Sequence, residues 1–357
     1  MKLEFAENRP FDVIALGRVG VDMYANDVNC PMEEIRSFSP YIGGSPANIA
    51  MGTAKLGLKT GFIGRIAPDG FGRFIISKFQ KAGIDTAGLV YDNSGANTQI
   101  AVSEILSPEK ANIIFYRDNA ADLHLEPKDI REDYIAQARI LMISGTALAG
   151  SPSREAVFVA IEYAIRHNVR IMMDIDYRPI TWKSKEEMAV YYNLACEKCD
   201  ILLGTREEFD VIEAIVSPGN QDDRRTADRL FAENAKVVVV KHGKEGSLGF
   251  AADGGCYEGF IYPTEVINTF GAGDSYAASF INGLLDGCRV DECMKRGAAA
   301  SSIVISRNDC SDAMPTREER DQYMKEHTAV RRRYSNADIT QKCVSAVFYR
   351  SHGKSGA

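Results

Sequence analysis

The chain has 357 residues, of which 45% are hydrophobic and 25% charged, with a formal net charge of −7 and a pI near 5.4. This size predicts one large globular α/β domain with an appendage, or two domains, with enough burial to need neither a structural metal nor disulfides. The acidic balance argues against a general nucleic-acid or membrane-surface binder.

Short apolar runs alternate with helical patterns along the chain. Six runs are too continuously apolar to face water on one side and predict buried strands: 12–17, 60–66, 139–144, 169–175, 200–204 and 236–243. Helical patterns cover 46–57, 70–82, 152–168, 185–198, 206–214, 222–234, 273–287 and 291–305. This alternation predicts a mostly parallel sheet with helices on both faces, which binds ligands at the carboxyl ends of its strands.

Two regions, about 18–42 and 97–117, have a different pattern of apolar and polar residues. Apolar and polar residues alternate in TQIAVSEI (98–105) and NIIFYRD (112–118), which is typical of strands with one exposed face. We interpret them as a small separate sheet that forms a lid; a pair of surface hairpins is the alternative. Beyond residue 330 the periodicity is weak, which predicts an appended tail.

The stretch NTFGAGDSYAASFINGLL (268–285) places small residues directly before a helical apolar run. The amides of Gly271, Ala272 and Gly273 then lie at a helix start, where free N–H groups and the helix dipole favour an anion. Asp274 would repel that anion unless it faces a second substrate as a base. The pattern therefore predicts a phosphoryl-transfer site without a Walker loop.

A second glycine-rich stretch, GGSPANIA (43–50), precedes another predicted helix. Gly43 and Gly44 allow close approach of the backbone to a ligand, and Asn48 can both donate and accept hydrogen bonds. A loop with an N-terminal cap is the alternative interpretation. No G-x-G-x-x-G follows a strand, so a nicotinamide-dependent enzyme lacks its fingerprint.

Together, GGSPANIA and NTFGAGDSYAASF resemble the paired signatures of the ribokinase-like (PfkB) carbohydrate kinases. The resemblance implies a ribokinase-like three-layer α/β/α (Rossmann-like) domain over 10–325 with a small β-sheet lid, leaving 326–357 as a C-terminal tail. It implies ATP and Mg²⁺ as cosubstrates and a sugar hydroxyl as acceptor. Asp274 would be the base, and the backbone of Gly271, Ala272 and Gly273 the anion hole.

The resemblance also assigns binding residues one by one. Asp22, Gly43, Gly44 and Asn48 match positions that bind the sugar. Glu208 in GTREEF (204–209) matches the acid that organises the waters of Mg²⁺. The nucleotide-binding positions are Thr205, where the family more often has Asn, and Lys241, Gly243 and Gly246 in KHGKEGS (241–247), which could also be a simple hairpin turn.

Arginines narrow the substrate to a sugar acid. DIDYRPITW (174–182) resembles a segment of the family's sugar-acid kinases, and its Arg178 would lie near the substrate and the γ-phosphate. Arg117, in the lid segment FYRDNAAD (115–122), has a planar fork that suits a carboxylate. The overall resemblance is to kinases that phosphorylate a six-carbon keto acid of inositol breakdown at its terminal hydroxyl. The alternatives are a 2-keto-3-deoxygluconate kinase, a neutral-sugar kinase such as a fructokinase or ribokinase, and a catalytically silent sugar sensor.

Cofactor, partner and location predictions complete the sequence interpretation. Asn268 replaces the Asp that is commoner beside the potassium site of many relatives, which leaves a monovalent cation such as K⁺ an open question. We expect a homo-oligomer, a dimer through the lid, with no nucleic-acid or membrane partner. The polar start MKLEFAENRP, the absence of an apolar run of transmembrane length and the scattered cysteines predict a cytoplasmic protein.

Overall fold

A computed structural model describes residues 2–27, 29–107 and 110–331 of the chain. Its strands are β1 Phe11–Leu16, β2 Gly20–Ala25, β3 Phe38–Gly43, β4 Thr60–Ile66, β5 Asp85–Tyr91, β6 Ile100–Ser107, β7 Lys110–Tyr116, β8 Ala138–Ser144, β9 Arg170–Asp174, β10 Ile201–Thr205, β11 Val237–Lys241, β12 Ser247–Ala251 and β13 Cys256–Glu258. Its helices are α1 Ser45–Lys55, α2 Gly70–Lys81, α3 Glu132–Ile135, α4 Ser153–Arg166, α5 Lys185–Cys196, α6 Arg206–Val216, α7 Asp223–Glu233, α8 Ala272–Leu285, α9 Val290–Ile305 and α10 Arg317–Glu326. Most of the predicted tail (326–357) lies outside the described residues.

A nine-stranded sheet with the order β13-β12-β11-β10-β9-β8-β1-β4-β5 forms the middle layer. Strands from β5 to β11 in this order run parallel, and every residue of β4 is buried, as its continuous apolar run predicts. One apolar cluster packs α4, α5, α6 and α7 on one face of the sheet, and a second packs α1, α2, α8 and α9 on the other. The predicted three-layer α/β/α fold is confirmed.

A second sheet of four strands has the order β3-β2-β6-β7. It joins the two regions with an alternating pattern, because β2 pairs in parallel with β6 while β3 and β7 pair antiparallel at the two edges. In β6 the residues Ala101, Ser103 and Ile105 are buried, and their neighbours are not. These four strands, called the lid sheet below, correspond to the predicted small sheet. The alternative of two unconnected surface hairpins is therefore wrong.

Three strands were missed by the sequence interpretation. β5 is half-exposed at an edge and carries no continuous apolar run, whereas β12 and β13 add antiparallel strands at the opposite edge. The segment KHGKEGS is the turn of the β11–β12 hairpin, and its Gly243 and Gly246 adopt positive φ values of 57° and 91°. The hairpin interpretation of this segment is thus correct as a description of its backbone.

Across the described part of the chain, the search for a helix long and apolar enough to cross a bilayer finds none.

Candidate active site

The carboxyl ends of the central parallel strands meet along one edge of the large sheet. Asp174 and Lys241 are the last residues of β9 and β11 at this edge, and the loops after β1 and β9 bring Arg18 and Asp176 to it. The amino end of α8 reaches the same place, because Asp274 lies close enough to Asp176 and Asp174 for their charges to interact. Residues up to about 250 positions apart in sequence thereby form one site.

The amino end of α8 has the geometry of an anion site. Gly271 is its N-cap with φ 72°, and a Cβ there would collide with Sγ of Cys310. The amide of Ala272 makes a long bond of 3.4 Å to the carbonyl of Thr269. Within the described residues, the next two amides, of Gly273 and Asp274, have no hydrogen-bond acceptor. A bound anion can therefore accept from both.

Asp274, in the first turn of α8, is half-buried and bonded to a residue of the other glycine motif. Asn48 Nδ2 donates to its Oδ2 over 2.8 Å. Burial and the nearby Asp176 carboxylate raise the pKa of Asp274, and the bond from Asn48 opposes that shift. The Oδ1 atom of Asn48 is buried and has no partner among the described residues. It is free to accept a bond from a ligand hydroxyl beside the carboxylate.

Asp22 lies on β2 of the lid sheet, opposite Tyr41 of β3. Its carboxylate crosses the backbone of Gly43 so closely that a Cβ at that position would collide with Oδ1. Gly44 has φ 100°, and its Cβ would lie 2.5 Å from the carbonyl oxygen of Arg18. Both glycines are thus needed to pack the site's own residues. Burial raises the pKa of Asp22 to about 6, with a smaller contribution from Asp274.

Lys241 and Asp174 form a buried ion pair at the ends of β11 and β9. The Nζ–Oδ1 distance is 3.4 Å, and Ser45 Oγ donates to the other carboxylate oxygen over 3.2 Å. Burial raises the pKa of Asp174, and the Asp174 and Glu208 carboxylates raise that of Lys241 against the effect of its own burial. A Cβ on Gly273 would be 3.5 Å from Nζ, so the ammonium lies beside the anion site. Sequence reasoning missed Asp174, although it ends a buried strand.

Glu208 and Thr205 form a capping box at the start of α6. Thr205 Oγ1 accepts from the amide of Glu208 over 3.2 Å, and Glu208 Oε2 accepts from that of Thr205 over 2.6 Å. Glu208 Oε1 also accepts from the amide of Tyr177 over 3.0 Å, which ties α6 to the loop after β9. No cluster of three or more His, Cys, Asp or Glu side chains suited to a metal occurs in the ranges described. The site therefore fits a Mg²⁺ ion that is held by phosphates and waters rather than by a cage of protein ligands.

Between the large sheet and the lid sheet lies an open cavity. It is lined by Arg18, Phe115, Arg117, Thr146, Arg178, Ile180 and Thr181. Arg117 reaches the cavity, but its fork is held by Asp122, with N–O distances of 3.0 and 2.6 Å. Arg178 pairs with Asp176 at 2.9 Å. Arg18 was not identified as a site residue from sequence, although an arginine directly after a buried strand was a signal.

Asn268 is fully buried just before the anion site. Its Nδ2 donates to the carbonyl of Arg307 over 2.9 Å, and its Oδ1 accepts from the amide of Phe270 over 2.9 Å. Both ends of this side chain are therefore engaged by backbone groups of the surrounding loops.

The fold and this site define a phosphotransferase class in which a small sheet lies beside the catalytic edge of an α/β/α domain. The family model described as pfkB family carbohydrate kinase matches residues 11–317. The chain belongs to this family, as its two glycine motifs predicted, and is a carbohydrate kinase.

Named relatives and solved structures agree with the family. The chain is 55% identical over 329 residues to the 5-dehydro-2-deoxygluconokinase of Geobacillus thermodenitrificans, covering 92% of this chain and 97% of that protein. A PfkB protein from a Polaromonas species superposes with a TM-score of 0.74 at 26% identity, covering 87% of this chain and 99% of that one. A ribokinase-type protein from Escherichia coli, solved with ATP and Mg²⁺, has a TM-score of 0.79 at 22% identity and covers 89% and 100%.

Proposed function

We propose that this protein transfers the γ-phosphoryl group of ATP to the terminal hydroxyl of 5-dehydro-2-deoxy-D-gluconate, giving the 6-phosphate, in the breakdown of myo-inositol. The observation that carries this proposal is 55% identity, over 92% of the chain, to a kinase named for that substrate. The arginine-lined cavity supports it independently, because a sugar acid brings a negative charge that a neutral sugar lacks.

In this mechanism Asp274 takes the proton of the terminal hydroxyl. Its raised pKa strengthens it as a base, while Asn48 holds its carboxylate in place and offers Oδ1 to a hydroxyl. The free amides of Gly273 and Asp274 at the start of α8 hold the migrating phosphoryl group, and Lys241 adds a positive charge beside them. ATP, when bound, would supply the phosphoryl group, and Mg²⁺ beside it would neutralise part of the charge on the phosphates.

The nucleotide lies along the adjoining strand ends in this proposal. It is bordered by Thr205, Lys241, Gly243 and Gly246. The turn after β11 leaves room for it, because a Cβ on Gly243 would meet no other atom within 4 Å. Glu208 orients waters of Mg²⁺ with the lone pairs that its two backbone bonds leave free. The kinase domain spans 10–325, and the lid sheet excludes water when substrate binds.

A monovalent cation is the part of the cofactor prediction that the site supports least. A cation near Asn268 would need carbonyl oxygens, yet the Asn268 amide already donates to the carbonyl of Arg307. We therefore propose that turnover does not require K⁺. Initial rates in K⁺, Na⁺ and tetramethylammonium salts of equal ionic strength test this, and strong activation by K⁺ alone would contradict it.

The proposed assembly is a dimer through the lid sheet. Its edge strand β7 exposes Ile113, Ile114 and Tyr116 to solvent, and a single subunit leaves this strand edge unpaired. A dependence on ATP and on an intermediate of sugar breakdown fits a cytoplasmic location.

A coupled assay of ADP formation across sugar acids and neutral sugars tests the activity. The expected result is the highest kcat/KM with 5-dehydro-2-deoxy-D-gluconate and a product phosphorylated at the terminal carbon. A higher kcat/KM with 2-keto-3-deoxygluconate, or with fructose or ribose, would replace the proposed substrate. Sugar binding without ADP formation by any member of the panel would point to a silent sensor.

A further inference from the structure

Three guanidinium groups line the cavity, and two of them pair with carboxylates. Arg117 is held by Asp122, and Arg178 by Asp176. Within the described residues no carboxylate comes within 4.0 Å of a nitrogen of Arg18. Among the three arginines of the cavity, Arg18 is therefore the one without a contacting carboxylate in the described part of the chain.

Neutral groups also give Arg18 few hydrogen bonds. The residue is 6% exposed, and its Nε is buried with no hydrogen-bond partner in the part of the chain described. Its Nη1 makes one long bond of 3.4 Å to Oε1 of Gln99, an atom that already accepts from Arg117 over 2.5 Å. The Phe115 ring, whose centre lies 5.7 Å from Cζ, contributes a weak cation–π contact.

A buried cation without a partner is costly, and neighbouring positive charge adds to the cost. Burial, followed by the charge of Arg117, lowers the pKa of Arg18, and the Asp176 and Asp22 carboxylates oppose this shift only in part. The Arg18 side chain nevertheless reaches the open cavity. Its backbone is held in place, because the Arg18 carbonyl packs against Gly44 at the start of α1. A ligand anion in the cavity would give Arg18 a charged partner.

We propose that Arg18 is the anchor for the substrate carboxylate and so decides that this kinase takes a sugar acid. The inference rests on the proposed function and assigns within it the residue that selects the acid. Arg117 is then a positioning residue, since it donates to Gln99 Oε1, the atom that also accepts from Arg18. Asp22 lies within electrostatic range of both Arg18 and Asp274, so one chain of carbons can run from the carboxylate anchor past Asp22 to the base.

The kinetic test compares Arg18→Met with wild type on 5-dehydro-2-deoxy-D-gluconate and on its uncharged C1 amide. A charged hydrogen-bond pair in a closed site corresponds to about a 10–150-fold loss in kcat/KM for the acid, and we expect that loss. The KM for ATP is expected to stay within about twofold. The amide lacks the charge, so its poor use should be the same in both proteins. Arg18→Lys is expected to recover part of the loss, because an ammonium lacks the planar fork.

Thermal unfolding without substrate provides a readout independent of turnover. Methionine keeps most of the volume of Arg18 and removes an unpaired charge, so Arg18→Met is expected to melt at or above the wild-type temperature. The matched control is Arg117→Met, which leaves Asp122 buried without its partner and is expected to lower the Tm. Addition of the acid should raise the Tm of wild type and not that of Arg18→Met.

The outcomes separate this inference from the proposed function. If wild type phosphorylates the acid and Arg18→Met loses activity equally on acid and amide, or on neither, the role of Arg18 is overturned while the proposed function stands. If Arg18→Met melts well below wild type, Arg18 is a structural residue and the anchor role is overturned. If wild type uses only neutral sugars, the proposed function fails and the anchor role fails with it.

Discussion

Asp274 and Asn48 are 226 positions apart in the chain and 2.8 Å apart at the site. The bond holds the carboxylate in one orientation, while burial makes it a stronger base than an exposed aspartate. The Oδ1 of Asn48, which has no hydrogen-bond partner in the described ranges, is the acceptor to which the incoming hydroxyl group can donate.

Asp274→Asn tests the base directly. We expect kcat to fall by roughly 10²–10⁴-fold, the usual worth of a general base, while ATP binding and the Tm are preserved because the amide is nearly isosteric. Single-turnover rates and nucleotide titration check the two parts. Near-normal turnover would remove Asp274 from the role of base.

Asp22 makes stability depend on pH. Its pKa is raised from the ordinary 3.8 to about 6, so the folded state holds this proton more tightly than the unfolded state. The contribution of Asp22 to the free energy of unfolding is therefore greatest below about pH 4 and is lost as the pH rises to about 6. Asp22→Asn lacks this loss, and we expect it to be more stable than wild type near pH 8 by at most about 3 kcal/mol.

Urea unfolding of both proteins at about pH 4 and about pH 8 measures the effect of Asp22. The difference between the two proteins should nearly vanish at the lower pH. A difference that is independent of pH would mean that Asp22 is not ionised with a raised pKa in the folded protein.

At the scale of elements, α6 begins with a carboxylate, that of Glu208, that has a structural role in the capping box and a proposed role in the active site. The capping box of Thr205 and Glu208 is a local device that any helix can use, and α10 has the same arrangement in Thr316 and Glu319. The difference between the two lies in position: Glu208 faces the strand ends, where its charge is felt by Asp174 and Lys241.

Glu208→Gln and Glu319→Gln therefore form a matched pair. Each removes a negative charge from the amino end of a helix while keeping an acceptor for the capping box, and we expect each to lower the free energy of unfolding by about 0.3–1 kcal/mol. Only Glu208→Gln is expected to raise the Mg²⁺ concentration needed for half-maximal rate, since a charged acceptor orients the metal's waters. An unchanged Mg²⁺ titration would leave Glu208 with its capping role alone.

At the scale of the whole molecule, the lid sheet has the character of an interface. Its outer strand β7 carries apolar residues that are exposed in a single subunit, and no other described strand pairs with either edge of the sheet. Natural sheets usually blunt or cover such edges, so a second copy that covers this one would bury the apolar surface and protect the strand.

Ile114→Lys is expected to shift the protein from dimer to monomer in sedimentation experiments, because an ammonium would be buried in the contact. Ile165→Lys on α4 is the control: Ile165 is 47% exposed against 45% for Ile114, but it lies away from the lid sheet. We expect the control to leave the mass unchanged. If both variants keep the wild-type mass, the lid sheet is not the dimer contact.

The sequence by itself determined the layers of the fold and the two glycine motifs. Continuous apolar runs predicted the buried strands, since a strand covered on both faces has no polar side to show. The start of α8 was predictable because glycines followed by an apolar helical run produce free amides in any setting. Local patterns with a local physical cause could thus be interpreted without coordinates.

Only the tertiary structure decided which charges are compensated. Arg117 was predicted as a substrate-binding residue, and its fork is bonded to Asp122. Arg18 follows β1 into the same cavity, and no carboxylate among the described residues forms an ion pair with it. Pairing depends on the crossing of strands that are distant in sequence and on burial, which sets the cost of an unpaired charge. Neither the crossing of distant strands nor the burial of a side chain can be inferred from a short stretch of sequence.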